Sequence, residues 1–325
     1  MQYFIITLIL FSLELIYFKI ADRYNIIDKP NRRSSHSRIT LRGGGVIFPI
    51  AIGIAFLLGY VGLTITLAVV LVAIVSFIDD IKALSQLPRF FSHLIAVFLI
   101  AYDLHLFQEA LWVLPLVLVL LIGWINAFNF MDGINGITVL YALAAIASFS
   151  VLPIHESNLP LLITMGLSCL VFGFFNIRTK AKTFAGDVGS ISMAVLLGYF
   201  VVKTIVETGQ IGFILFFSVY GVDAIITILY RIKKKENIFE SHRSHLYQYL
   251  ANECGYSHIV LAVMYAFLQL LVNGIVISLD QQGKLSIFVS LLILSLLTFV
   301  YLAVRAVVVR KISENTGKDF GNDYL

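Results

Sequence analysis

The sequence predicts an all-α polytopic integral membrane protein, with about eleven transmembrane helices, its N-terminus outside and its C-terminus cytoplasmic. Three observations predict it. Hydrophobic residues make up 59% of the 325 positions, charged residues only 13%, and the mean hydropathy is +0.93, values a soluble domain does not reach. Almost every charge lies in a short loop between long apolar segments. The basic residues are concentrated in alternate loops, as they are in proteins that keep Lys and Arg on the cytoplasmic side.

A helix needs about 20 apolar residues to cross the bilayer. Laid along the chain, that length gives segments at roughly 3–20, 44–60, 62–78, 89–104, 110–128, 136–154, 158–177, 188–204, 211–231, 257–278 and 286–309. Several are short, which allows for tilted or broken helices. The first carries Glu14 and lacks both a basic n-region and a small-residue cleavage site, so it reads as retained rather than as a signal peptide.

Orientation follows from the loops taken in order. One set holds Arg23, Lys29, Arg32, Arg33, Arg38 and Arg42, then Lys82 and Arg89, then Arg178, Lys180 and Lys182. It continues with Arg231, Lys233, Lys234, Lys235 and Arg243, and ends with Arg310, Lys311 and Lys318. Lys19 and Arg305 sit at the same-side ends of the first and last helices, and only Lys203 and Lys284 face the other way. The chain therefore reads as one transmembrane domain, 1–325, with cytoplasmic loops at about 21–43, 79–89, 126–136, 178–190 and 232–256. Cys169 and Cys254 offer neither a disulfide framework nor a metal cluster. The net charge of +4 fits positive loops beside anionic headgroups, and nothing suggests a nucleic-acid surface.

The polar residues that remain cluster on the cytoplasmic side. Asp79-Asp80 ends the third segment, where the helix macrodipole disfavours negative charge and where two adjacent carboxylates repel unless a cation or proton lies between them. An interfacial, solvated pair is the plain alternative. Asn126, Asn129 and Asp132 recur at three-residue spacing on one helical face and run into Gly133, Asn135 and Gly136, which read either as a ligand-facing cluster or as a polar turn. In Phe184-Ala185-Gly186-Asp187-Val188-Gly189-Ser190, Asp187 reads either as an N-cap or as a metal-ligating carboxylate beside a helix N-terminus. Phe184 reads as an interfacial anchor or as a stacking surface for a base. In Glu240 to Gln248, Arg243 suits phosphate, and His242 and His245 lack the further ligands a zinc site needs. Basic residues cluster around Gly43-Gly44-Gly45, and the glycines suggest close approach of backbone to a ligand or a helix. Asp223 lies within the ninth segment, about 12 Å along its axis from Arg231, and an acid there reads as functional or as a buried polar partner. Glu14 and His93 read as structural. Carboxylates, basic groups, amides and glycines at one membrane face are what Mg²⁺-assisted pyrophosphate chemistry on a lipid substrate needs.

In order along the chain, Arg42-Gly43-Gly44-Gly45, Asp79-Asp80 with Leu84, Asn126-x-x-Asn129-x-x-Asp132-Gly133, Gly186-Asp187-x-Gly189-Ser190 and the Arg243-x-His245 stretch resemble the polyprenyl-phosphate N-acetylhexosamine-1-phosphate transferases (glycosyltransferase family 4). The resemblance spans 28–248 and includes the eleven helices of that family. It implies transfer of N-acetylhexosamine 1-phosphate from a UDP-sugar to undecaprenyl phosphate, with release of UMP, at the cytoplasmic face of a bacterial inner membrane. By motif it implies that Asp187 is the metal ligand, for Mg²⁺ or else Mn²⁺. Asp79, Asp80 and Asp132 would be catalytic, with the acidic pair activating the lipid phosphate or assisting the metal. Arg42, Arg89, Asn126, Asn129, Phe184, Arg243 and His245 would bind substrate, with Phe184 stacking on uracil. The implied partners are the UDP-N-acetyl sugar, undecaprenyl phosphate, membrane lipids and, as an assembly, a homodimer.

The chain departs from the family pattern at three places: Asn135 replaces a second Asp, Ile39-Thr40-Leu41 replaces Pro-Thr-Pro, and His245-Leu246-Tyr247-Gln248 replaces His-x-His-His. The last resembles the O-antigen-initiating branch, and leaves the sugar open among GlcNAc, FucNAc, QuiNAc and others. Two other readings compete. A lipid-linked sugar flippase would place its polar residues at the midplane, where Asp223 is the main acid. A CDP-alcohol phosphotransferase would carry an Asp-Gly-x-x-Ala-Arg signature, but here Asp132-Gly133 runs into Ile134-Asn135-Gly136-Ile137.

Overall fold

The structure is a computed structural model and describes residues 1–30, 35, 38–237 and 242–316. Arg32, Arg33, Lys318 and the Glu240-Ser241 start of the last motif lie outside the described residues. Every apolar segment read from the sequence carries a helix. These are α1 (Gln2–Arg23), α2 (Ile47–Leu57), α3 (Leu63–Ile81), α4 (Gln86–Asp103), α5 (Val113–Phe130) and α6 (Ile137–Ser150). They continue as α7 (Leu159–Asn176), α8 (Gly186–Thr208), α9 (Ser218–Lys233), α10 (His258–Gln281) and α11 (Ile287–Thr316).

Eight spans among the described residues are long and apolar enough to cross a membrane, which makes the chain a multi-pass membrane protein. The other three helices differ for physical reasons. α2, with 11 residues, is about 16 Å long at 1.5 Å per residue, half of what the hydrocarbon core requires. α6, with 14, stops before Pro153, which cannot continue a hydrogen-bonded turn. α4 begins on the polar Gln86-Leu87-Pro88-Arg89 turn.

α8 is apolar around its whole circumference and is buried against α2, α3, α5 and α6, as such a helix must be. α11 is largely exposed, with Phe288, Leu291, Leu292, Leu296 and Phe299 on its outer surface, the surface a lipid-facing helix presents.

The chain between α1 and α2 folds back as a two-stranded ribbon, β1 (Ile27–Asp28) against β2 (Thr40–Leu41), with Ile27 opposite Leu41. β2 in turn bridges Thr183, just before α8. Phe184 N donates to Leu41 O at 2.8 Å, Gly44 N to Phe184 O at 2.9 Å and Gly45 N to Ala185 O at 3.0 Å. Three backbone hydrogen bonds thus join the first loop to the start of α8.

The last glycine of the triplet, Gly45, lies against the backbone of a helix. A Cβ on Gly45 would lie 2.7 Å from Ala185 O, and one on Gly189 2.7 Å from Gly45 Cα, so the two backbones touch where no side chain fits. Gly45→Ala is expected to lower stability by about 1–3 kcal/mol through this overpacking, read as a lower unfolding midpoint in detergent. An unchanged midpoint would show that the contact is not tight.

Candidate active site

The acidic pair sits in the last turn of α3, with side chains turned toward α8 rather than toward water. Asp80 is buried and accepts from three donors: Arg42 Nε at 2.6 Å and Asp187 N at 2.9 Å reach Oδ1, and Val188 N at 3.0 Å reaches Oδ2. This resolves the electrostatic oddity of an acid at a helix C-terminus. Asp80 serves α8, whose first N–H groups have no partner within their own helix and favour negative charge. Gly186, at φ +71°, brings that helix start so close that a Cβ would sit 2.5 Å from Asp80 Oδ2. Asp79 accepts from Leu84 N at 2.5 Å and forms an ion pair with Arg89 Nη2, also at 2.5 Å.

The N-cap reading of Asp187 does not hold, because Asp80 occupies that role from another helix. The Asp187 carboxylate is thereby left to face the Asp79 carboxyl group and two guanidinium groups, Arg42 Nη2 at 3.6 Å and Arg89 Nη1 at 3.8 Å. Both separations are beyond hydrogen-bond length, so the arginines offset the charge without engaging the oxygens tightly. Of the three acids, Asp187 has the most exposed side chain, at 16%, against 3% for Asp79 and 0% for Asp80.

Asp187 opens onto a cavity of about 240 Å³. Arg42, Asn129, Asp132, Phe184, Gly186 and Asp187 line it, each from a motif singled out in the sequence. Asn129 Oδ1 accepts from Ser190 Oγ at 2.6 Å, which joins the α5 motif to the α8 motif. The Asp132 carboxylate accepts from the Thr138 hydroxyl. Burial pushes the Asp132 carboxyl up to about 6, and the nearby Asp80 adds to this, while the Thr138 bond and Arg42 pull the other way.

A folded-state pKa raised above the ordinary 3.8 means that protonated Asp132 favours the fold below about pH 4, a contribution lost as pH rises through about 6. Asp132→Asn removes that loss. Its unfolding midpoint is expected to gain on the wild type between about pH 4 and about pH 6 and to keep a constant lead above that, and a constant gap from about pH 4 to about pH 6 would count against the raised value.

Six expected site residues do not line the cavity, the clamping Asp80 among them. Asp79 and Arg89 stand behind Asp187, paired to each other. Asn126 is turned back on its own helix, its Nδ2 donating to Ile122 O at 2.8 Å. Arg243 pairs with Glu253, and His245 is buried with Nδ1 against Asp223 at 3.1 Å.

Others enter to which the sequence reading gave no role: Asp28 from β1, Asn176 at the end of α7, Gln248 and His258. Asn176 is the clearest case. Its Oδ1 accepts from Gly136 N at 2.7 Å and its Nδ2 donates to Thr183 O at 2.8 Å, tying two motif loops together. An Asn at the end of an apolar helix was the only local signal.

No three His, Cys, Asp or Glu side chains converge as a metal cage among the described residues. The fit to a hard cation is of the open kind: facing carboxyl groups on Asp79 and Asp187, with Asp187 at the cavity wall. Mg²⁺ is commonly held by one or two carboxylates, its other positions being filled by water and substrate phosphate.

Residues 62–205 match the model of the family described as "Glycosyl transferase family 4". The chain is 25% identical over 267 residues to a Bacillus subtilis protein named "Probable undecaprenyl-phosphate N-acetylglucosaminyl 1-phosphate transferase", covering 74% of this chain and 73% of that one. It is 33% identical over 117 residues to a phospho-N-acetylmuramoyl-pentapeptide-transferase of Lactococcus lactis subsp. cremoris, covering 35% of this chain and 34% of the relative. A protein of the same name from Petrotoga mobilis is 28% identical over 190 residues, 48% of this chain and 58% of its own.

Proposed function

The chain belongs to glycosyl transferase family 4, the polyprenyl-phosphate hexosamine-1-phosphate transferases, and from that premise we propose that it moves an N-acetylhexosamine 1-phosphate from a UDP-sugar to undecaprenyl phosphate. An oxygen of the lipid phosphate becomes bonded to the β-phosphorus of the donor. The bond from that phosphorus to the bridging oxygen breaks, and UMP leaves with the oxygen. The product is an undecaprenyl-pyrophosphoryl sugar, which starts an O-antigen or another envelope polysaccharide. The observation that carries this reading is the Asp187 carboxylate, held at the wall of a cavity that Arg42, Asn129, Asp132 and Phe184 also line.

Asp187 would hold Mg²⁺, which when bound offsets charge on the pyrophosphate. The chain's own groups do the rest. Arg42 and Arg89 bring positive charge to the same point, and Arg42 stays fixed by Asp80. Asn129, held through Ser190, and Asp132, held through Thr138, present polar groups to the nucleotide-pyrophosphate. Phe184 offers a ring at the cavity wall for the uracil. A preformed set of charges of this kind is how proteins favour phosphoryl transfer, which needs positioning more than covalent help. The basic loops support placing this site at the cytoplasmic face of a bacterial inner membrane, with eleven crossings, the N-terminus outside and the C-terminus inside.

The test uses purified protein with undecaprenyl phosphate, Mg²⁺ and a panel of UDP-N-acetyl sugars, following UMP release. Release with one sugar names the donor. No release with any sugar, from folded protein, would refute the reading.

A further inference from the structure

Outside the cavity lies a second buried polar cluster, built on Asp223 of α9. Its carboxylate meets donors from four parts of the chain. His245 Nδ1 at 3.1 Å, Leu246 N at 3.2 Å and the Tyr301 hydroxyl at 3.0 Å reach Oδ1. The Tyr265 hydroxyl reaches Oδ2 at 2.7 Å, and the Thr227 hydroxyl, one turn along α9, lies 3.3 Å from Oδ1. Buried Arg305 of α11 donates to Ser244 O and to the Tyr301 hydroxyl, both at 3.1 Å, and lies over the rings of Tyr230 and Tyr249. A charge inside a membrane protein is costly unless it is satisfied in this way, so the cluster calls for a reason.

None of these groups lines the cavity. What they hold does. Leu246 N, bonded to Asp223, opens the short turn Leu246–Gln248, in which Gln248 Oε1 accepts from His245 N at 3.2 Å. The Tyr247 hydroxyl donates to Phe130 O at 3.0 Å, fixing the turn against the end of α5. Gln248 Nε2 thereby rests beside Gly133, where a Cβ would be 3.2 Å away, and Gln248 joins Asn129 and Asp132 in the cavity wall.

We propose that Asp223 is a positioning residue for this wall: it fixes the 244–248 turn from inside the membrane so that the Gln248 amide meets the bound UDP-sugar. Asp223 touches no substrate; it acts through His245 and Leu246. The proposal rests on the transferase reading. It predicts that Asp223 and Gln248 act as one unit, although one lies in a helix and the other at the cavity.

The experiment is steady-state kinetics on Asp223→Asn, Gln248→Ala and the double variant, with undecaprenyl phosphate, Mg²⁺ and UDP-N-acetylglucosamine, alongside unfolding midpoints in detergent. Each single change is expected to raise the donor KM about tenfold, the size of one lost hydrogen bond, and to raise KM more than it lowers kcat. The double variant is expected to be no worse than Asp223→Asn, because the amide is already displaced. A purely structural Asp223 would lower the midpoint and kcat at unchanged KM, and its effect would multiply with that of Gln248→Ala; either result overturns the proposal. If Asp223→Asn does not fold, Tyr301→Phe withdraws one donor without changing charge and carries the same comparison. If the wild type releases no UMP with any sugar of the UDP-N-acetyl panel, the transferase reading fails instead. Affinity for UDP, measured by calorimetry on the same variants, then decides, and equal Kd in wild type and Asp223→Asn overturns the anchor.

Discussion

Replacing Asp187 by Asn is expected to lower UMP release by about 10³-fold or more, the largest loss from any single change in the site. Geometry sets that expectation. The Asp187 backbone N–H is used by the fold, through Asp80, but its side chain makes no close bond to either arginine, at 3.6 and 3.8 Å. Removing the charge should therefore cost the chemistry far more than the fold, with an unfolding midpoint changed by less than about 1 kcal/mol equivalent. Titration with Mg²⁺ at saturating donor is the check. A variant that keeps more than about a tenth of wild-type turnover at any Mg²⁺ level would remove Asp187 from the metal assignment.

Asp80→Ala is expected to act in the opposite proportion. It orphans the N–H groups of Asp187 and Val188 and leaves Arg42 without its 2.6 Å partner. Removing one partner of a buried, bonded charge pair typically costs about 3–5 kcal/mol, and turnover falls with it because Asp187 is no longer held. Asp80→Asn keeps one acceptor oxygen and is expected to fall between the two. Denaturant unfolding in detergent, run beside UMP release, checks the order. An Asp80→Ala protein as stable as wild type yet inactive would make Asp80 a reacting group instead of a clamp.

The comparison of these two acids shows what was legible in the sequence and what was not. All eleven helix positions were, because the bilayer demands long apolar runs and tolerates little else. The residues that gather at the cavity were legible where the motif itself forms the wall: Asn129, Asp132, Phe184 and Asp187. Roles that depend on pairing across the chain were not. Nothing local marks Asp80 as the cap of a helix that starts at Gly186, and the N-cap alternative for Asp187 could be set aside only when that cap was seen. Asn126 shares spacing with Asn129 but bonds to Ile122, since a three-residue repeat fixes a face and not a partner. Arg243 and His245 read as ligand-facing because their residue types suit phosphate; their partners, Glu253 and Asp223, are 10 and 22 residues away. Asn176 and Asp28 carried no signal that separates them from ordinary polar residues at a membrane surface, and Gln248 stood in a motif without a role of its own.

The bridge from Leu41 to Thr183 joins positions 142 residues apart, with α2 to α7 between them. A membrane protein acquires its helices in sequence, so the first loop, with Arg42 and the glycines, is made long before the segment that completes it. Contacts of such separation close late, because the intervening chain must be arranged first. Until α8 arrives, Asp80 has no N–H groups to cap and the Gly45 backbone has nothing to lie against. The Asp187 carboxylate is thus carried in by the same helix that completes the first loop, and a chain that stops short of α8 has no cavity wall to present.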